Sequence, residues 1–525
     1  MHILRKHIGL WFLAPVLGAI VAAGAARAAA PEPAVPVTLA SLFGDHAVLQ
    51  RDKPVPVWGR AGAADPIAVT FHGQTARTVA GPDGRWRVCI GPFAASAEPA
   101  DLVVAGGSTI TLHDVVIGEV WLCSGQSNME FMVDDGTAYR VGTPEAEVAA
   151  ANYPLIRQLK VERTVSTTQA ETVKTGGWQL ASPKTVGGFT AVGYFFARDI
   201  HRALGVPVGI VDCPWGGTPI ESWMSDAATN STSLAAVLDA RWKKEMSEWP
   251  PERVAKYPAD MAAWEKAERE ARVNHTTNPL TWPQPPATTD SPILPAGLFN
   301  AMIAPLQPGA LRGILWYQGE SNVGRAEEYP ELFKTMIRSW RQGFGQGDVP
   351  FYFVQIANFG DESERVDRGW ARLREAQAQA LSLPNTGMAV TIDIGEARNV
   401  HPRNKQEVGR RLALIAKTQL YGIPPEISGP VFAGASREGA AMRVRFSHAG
   451  DELQARGGEV GALEIAGADK VFHAAVGTIE TDSLLVSSPE VAEPVAVRYA
   501  WTNAPRANLY GDTGLPVAPF RSDAW

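Results

Sequence analysis

A serine hydroxyl attacks an ester carbonyl usefully only when it stands clear of its neighbours and a base can take its proton. Ser127 has the right surroundings. It lies in Leu122-Cys123-Ser124-Gly125-Gln126-Ser127-Asn128-Met129, after the apolar run 115–122. A Gly-x-Ser turn closing a buried strand is where an open α/β sheet presents reactive groups. The base must be a nearby histidine, and residues 116–425 hold three: His201, His275 and His401. His201 falls in a helical pattern away from any strand end, and His275 falls in a long insert. His401 follows a late strand, in Asp393-Ile394-Gly395-Glu396-Ala397-Arg398-Asn399-Val400-His401-Pro402. A loop beyond the last strand brings it to the same sheet edge as Ser127.

The attack leaves an oxyanion that needs hydrogen-bond donors. The Ser127 amide is one. A second strand ends in Cys213-Pro214-Trp215-Gly216-Gly217-Thr218, where Gly216 or Gly217 can bring a bare amide close to substrate. A third ends in Trp316-Tyr317-Gln318-Gly319-Glu320-Ser321-Asn322, where Gln318 or Asn322 can offer a side-chain amide. A glycine pair alone is usually only a turn. Three such turns after three strands point to a site.

These turns need a sheet to align them. Strands are expected near 115–123, 206–213, 311–317, 351–356 and 388–394, with helices over 191–204, 370–381 and 405–420. The alternation predicts a mainly parallel sheet covered on both faces. Residues 36–115 read as a small β domain, with Gly81-Pro82-Asp83-Gly84 as one of its turns, and 426–525 return to β. A charged, tryptophan-bearing helical insert ending in a proline-rich loop occupies about 225–300. The chain has 525 residues, 45% hydrophobic and 20% charged, so two to four globular domains are expected. A net charge of -7 argues against nucleic acid as the main partner. Arg5 and Lys6, an apolar stretch and Ala26-Arg27-Ala28 read as a secretory signal peptide over 1–28, implying a secreted or periplasmic mature chain. No membrane span is expected beyond it. Of three cysteines, Cys123 and Cys213 read as buried thiols rather than a disulfide framework. No metal-ligand motif occurs.

Together these motifs resemble the sialate O-acetylesterase family of the SGNH-hydrolase superfamily. Gly118 to Glu130 is similar to its nucleophile block. Trp215 to Thr218, Trp316 to Asn322 and His401-Pro402-Arg403-Asn404-Lys405 are similar to its later blocks. Leu49 to Gly59, Arg498 to Trp501 and Pro519 to Arg521 extend the resemblance over nearly the whole mature chain. The resemblance implies a three-layer, flavodoxin-like α/β hydrolase domain over 116–425 with flanking β-sandwich-like domains. It implies Ser127 as nucleophile and His401 as general acid/base. The oxyanion hole would then be the amides of Ser127 and Gly217 with the side chain of Gln318 or Asn322. No cofactor and no metal are implied.

One position departs from the superfamily. An aspartate commonly stands three residues before the histidine, and here that residue is Arg398. Glu396 or Asp393 could orient His401, or a backbone carbonyl could do so in a Ser-His dyad. The implied partner is an O-acetylated glycan, either sialic acid or an acetylated polysaccharide. Trp215 and Trp223 are the candidate cleft wall, whereas Trp121 and Trp316, within strands, read as core. Arg374 is a candidate cation for a sialate carboxylate. The alternatives are an esterase or lipase on non-sugar esters and a non-catalytic glycan-binding protein.

Overall fold

The computed structural model describes residues 9, 35–136, 139–274, 276, 278–361, 368–424 and 429–525. The expected signal peptide and His275 lie outside the described residues. Its organising element is one long strand, β1 (Thr109–Gly125), buried without interruption from Val115 to Gly125. The apolar run dictates this burial, because a strand flanked on both faces must be apolar on both.

Six further strands run beside it through the eleven-stranded main sheet: β2 (Tyr153–Val161), β3 (Thr175–Ala181), β4 (Val208–Pro214), β5 (Gly313–Tyr317), β6 (Phe351–Val354) and β7 (Thr386–Ala389). Their order is β3-β2-β4-β1-β5-β6-β7. All neighbours are parallel except β3 and β2, so the sheet is mixed. β4 lies on one side of β1 and β5 on the other. The loops leaving these three strands therefore diverge around the end of β1, which is the switch point where such sheets bind ligands.

Four helices cover the sheet: α1 (Ala191–Leu204), α2 (Tyr329–Phe344), α3 (Gly369–Ala378) and α4 (Lys405–Gln419). Strand alternation shows which face each takes. Phe351 and Phe353 of β6 point toward Phe333 of α2. Tyr352, between them, stacks on Trp121, which meets Phe196 of α1 on the opposite face. Helix α2 is not anticipated by the sequence reading, nor are β2, whose interior carries Arg157, Gln158 and Lys160, and β3, which carries Gly176, Gly177 and Gln179.

The 36–115 region forms one separate three-stranded sheet and four strands that join the main sheet through β1, and no linker separates them. The first half of β1 pairs with Val48–Gln50 and Ser96–Ala105, and the second half with β4 and β5. One strand crosses the expected boundary at 115, and a single apolar core runs through both parts. Residues 431–521 instead form antiparallel sheets around a separate core. Two helices of the insert, α5 (Ala235–Ser247) and α6 (Pro251–Val273), precede the proline-rich loop. Cys123 and Cys213 are buried free thiols and Cys89 is exposed. No helix among the described residues is long and apolar enough to cross a membrane.

Candidate active site

The end of β1 turns sharply at Gly125, whose φ is +133° and where a Cβ would lie 2.1 Å from the Tyr317 carbonyl oxygen. Only glycine permits that approach. The turn is pinned on both sides: Trp215 N–H donates to the Gly125 carbonyl at 3.0 Å, and Gln126 N–H to the Tyr317 carbonyl at 2.9 Å. Ser127 then begins a one-turn helix, Ser127–Glu130. Its Oγ lies 2.7 Å from His401 Nε2, a hydrogen bond spanning 274 residues of sequence.

His401 reaches this point on a loop held by side chains. Asn128, next to the serine, donates from Nδ2 to the Val400 carbonyl at 2.9 Å and to Glu320 Oε1 at 2.6 Å. The buried Lys405 ammonium donates to Asn128 Oδ1 at 2.6 Å and faces the rings of Phe131 and Tyr317. Asn399 accepts from His401 N–H and donates to the His401 carbonyl. The Tyr139 ring meets the imidazole edge-on at 64°, centroids 5.6 Å apart. Burial pushes the Glu320 carboxyl above the usual range.

The two candidate acids are committed elsewhere. Glu396 accepts from Arg403 N–H with Oε1 and from Asn399 with Oε2, bracing the loop. Asp393 forms a buried pair with Arg411 and accepts from Tyr510. Both are placed to shape the loop rather than to grip the imidazole.

The turns after β4 and β5 separate in role. Gly217 has a φ of +74° and lines the cleft with Ser127 and His401. Among the described residues, the amides of Ser127 and Gly217 have no hydrogen-bond partner. Gln318 and Asn322 do not share this arrangement. Gln318 Nε2 donates to the Thr218 carbonyl at 3.2 Å and Asn322 Oδ1 at 2.7 Å, while its Oε1 accepts from Tyr329. Asn322 also accepts from Ile220 N–H and donates to Glu221. Both are buried and absent from the cleft lining. The expectation that one of them faces the oxyanion is corrected: their amides are consumed in holding the 218–221 segment, because a buried amide must satisfy every group it carries.

Two other expectations are corrected. Trp223 is fully buried, donating to Thr218 Oγ1 and packing edge-on against Trp316, so it is core and not cleft wall. Arg374 is fully buried and donates to the carbonyls of Ile356, Ala357, Thr502 and Asn503. A guanidinium enclosed by backbone cannot meet a substrate carboxylate. Trp215 does line the cleft, and Trp121 and Trp316 are core.

The cleft has a volume of about 1650 Å³. The insert forms much of one wall, where Trp282 packs over Gly217 and is itself met by Trp264. Glu130, Glu320, Tyr139 and Arg163 also line it and were not singled out from the sequence. Glu130 and Glu320 lie inside the nucleophile and Gln-Gly-Glu-Ser-Asn blocks, so their positions offered a signal. Tyr139 and Arg163 offered none.

A family model described as "carbohydrate esterase, sialic acid-specific acetylesterase" matches residues 117–270 and 296–417. Sialate O-acetylesterase of Rattus norvegicus is 29% identical over 533 residues, covering 92% of this chain and 93% of that protein. The Homo sapiens sialate O-acetylesterase is 27% identical, covering 92% and 91%. A crystal structure of a carbohydrate acetylesterase from Xanthomonas citri is 39% identical, covers 93% of this chain and all of that one, and superposes with a TM-score of 0.78. The chain belongs to the sialic acid-specific acetylesterase family of carbohydrate esterases, and is thus a carboxylic ester hydrolase of the carbohydrate O-acetylesterase type.

Proposed function

We propose that this protein removes O-acetyl groups from a glycan through an acetyl-Ser127 intermediate. The observation that carries the proposal is the 2.7 Å contact between Ser127 Oγ and His401 Nε2, beside two unbonded amides in an open cleft. His401 Nε2 takes the Ser127 proton as Oγ attacks the acetyl carbonyl. The amides of Ser127 and Gly217 receive the oxyanion. As the tetrahedral species collapses, the imidazolium gives its proton to the departing sugar oxygen. The same imidazole then activates water, which releases acetate and restores the serine. The parallel strand block with helices on both faces supports an SGNH-type three-layer, flavodoxin-like hydrolase domain as its frame.

The substrate class follows from the cleft. Small-molecule sites enclose roughly 300–1000 Å³, and this cleft is larger. Trp215, Trp282 and Trp370 along it can pack on the apolar faces of sugar rings. These features support an acetylated glycan chain, with sialic acid or a polysaccharide carrying the ester. We further propose export directed by residues 1–28.

Acetate release from an aryl acetate, O-acetylated sialic acid and acetylated hemicellulose, with Ser127→Ala as control, tests the proposal. Release by the native chain and none by the variant is expected. No release from any ester would sink the esterase mechanism, and turnover of long-chain esters alone would favour a lipase.

A further inference from the structure

We infer that Glu130 is a positioning residue for the oxyanion hole, its carboxylate holding the Gly216–Gly217 turn against the nucleophile. The inference rests on the serine mechanism proposed above. An amide stabilises an oxyanion only if it is already aimed when charge develops. A Gly-Gly pair is the backbone least able to hold a direction unaided. The turn therefore needs external anchors, and beyond the Trp215 N–H bond to the Gly125 carbonyl, side chains hold it at both ends.

The far end is anchored by Gln318 and Asn322, through Thr218 and Ile220. The near end is anchored by Glu130, whose Oε2 accepts from Gly216 N–H at 2.9 Å. Glu130 closes the same one-turn helix that Ser127 opens, so its carboxylate has a fixed relation to the nucleophile. The Gly216 backbone lies directly on Ser127: a Cβ there would be 3.1 Å from Ser127 Cβ. Glu130 thus sets the spacing between the two amides proposed to share the oxyanion.

A carboxylate this close to a developing negative charge would oppose it by simple Coulomb repulsion. Arg163 answers that problem. It pairs with Glu130 Oε1 and lies over the Trp215 ring, 5.9 Å from its centroid. The pair leaves the carboxylate free to accept from Gly216 with its charge largely compensated. Nothing in this arrangement requires the Glu130 charge itself. It requires an acceptor at the Oε position.

The distinction is testable with aryl acetate kinetics and with phenylboronic acid, which forms a tetrahedral adduct on a serine nucleophile. Glu130→Ala should lower kcat about 10- to 100-fold with KM within about twofold. Its affinity for the boronic acid should fall by the same factor. Glu130→Gln keeps the acceptor and should stay within about threefold of the native kcat. Arg163→Ala leaves an uncompensated carboxylate and should be slow, and adding Glu130→Gln to it should restore activity. These last two variants carry the same test if Glu130→Ala fails to fold. The inference is overturned if Glu130→Ala keeps native kcat and boronate affinity, or loses kcat with boronate affinity intact. It is also overturned if Glu130→Gln is as slow as Glu130→Ala. Failure of the serine mechanism itself looks different: Ser127→Ala would retain turnover, whatever the Glu130 variants do.

Discussion

Two glycine-bearing turns flank the nucleophile strand and share a sequence style, yet they are built for opposite tasks. After β4, Trp215-Gly216-Gly217-Thr218 leaves the Gly217 amide unbonded at the cleft. After β5, Gln318-Gly319-Glu320-Ser321-Asn322 turns its amide side chains inward and spends them on the first turn. One turn presents a donor and the other keeps that donor in place. A polar residue beside an active serine is not thereby a catalytic donor. What decides is whether its own hydrogen bonds are already satisfied within the protein.

Variants can break this contrast. The largest effect is expected from His401→Ala, which removes the base and should lower kcat by about 10⁴- to 10⁶-fold. Glu396→Ala should cost less than about tenfold, since Glu396 braces the loop through Asn399 and Arg403. Steady-state rates for both variants check that Glu396 braces the loop; an equal loss from Glu396→Ala would refute that role.

Next comes the presenting turn. Gly217→Ala forces a residue with a Cβ into a left-handed φ of +74°, with that Cβ 3.2 Å from Trp282. It should lower kcat about 10- to 100-fold with little change in melting temperature. The holding turn should show the reverse pattern. Gln318→Leu takes the Nε2 donor from the Thr218 carbonyl and one hydrogen bond each from Asn322 and Tyr329, and should cost about 3 kcal/mol in denaturant unfolding. Its kcat loss should be smaller than that of Gly217→Ala. A large rate loss at native stability would move Gln318 into the cleft machinery.

The smallest effect on rate is expected beneath the first turn. Asp212 of β4 is fully enclosed, and burial pushes its carboxyl from 3.8 up to about 7. The unfolded chain ionises Asp212 at lower pH than the folded protein does. Between those values the folded state binds more protons, so stability falls as pH rises toward 7 and is level above it. Asp212→Asn should remove that fall. The variant should match the native protein near about pH 4 and exceed it by on the order of 4 kcal/mol near about pH 8, with kcat little changed. Urea midpoints across that range check it; an unchanged slope would contradict the assignment.

Much of this site is legible in the sequence because its parts close strands. Ser127 follows an apolar run that can only be a buried strand, and His401 is the one histidine a late loop can bring to the same edge. The directions of Gln318 and Asn322 are not legible, because they depend on where Thr218 and Ile220 lie in space. The same is true of Trp223 and Arg374, whose burial comes from packing against Trp316 and from carbonyls some 130 residues away. In the fold, the main strands announce themselves by continuous apolar runs. β2 and β3 do not, since buried Arg157 and Gln158 interrupt the pattern in β2 and Gly176, Gly177 and Gln179 break it in β3. The boundary at 115 is invisible in composition because one strand serves both parts.

The central claim is that Ser127 carries the acetyl group during turnover. Acid quenching of the native enzyme within milliseconds of mixing with an aryl acetate, followed by peptide mass analysis, tests it directly. The expected result is one added acetyl group on the peptide containing Ser127, a burst of aryl alcohol equal to the enzyme present, and neither in Ser127→Ala. Acetate release by Ser127→Ala, or turnover with the acetyl group on another residue, would contradict it.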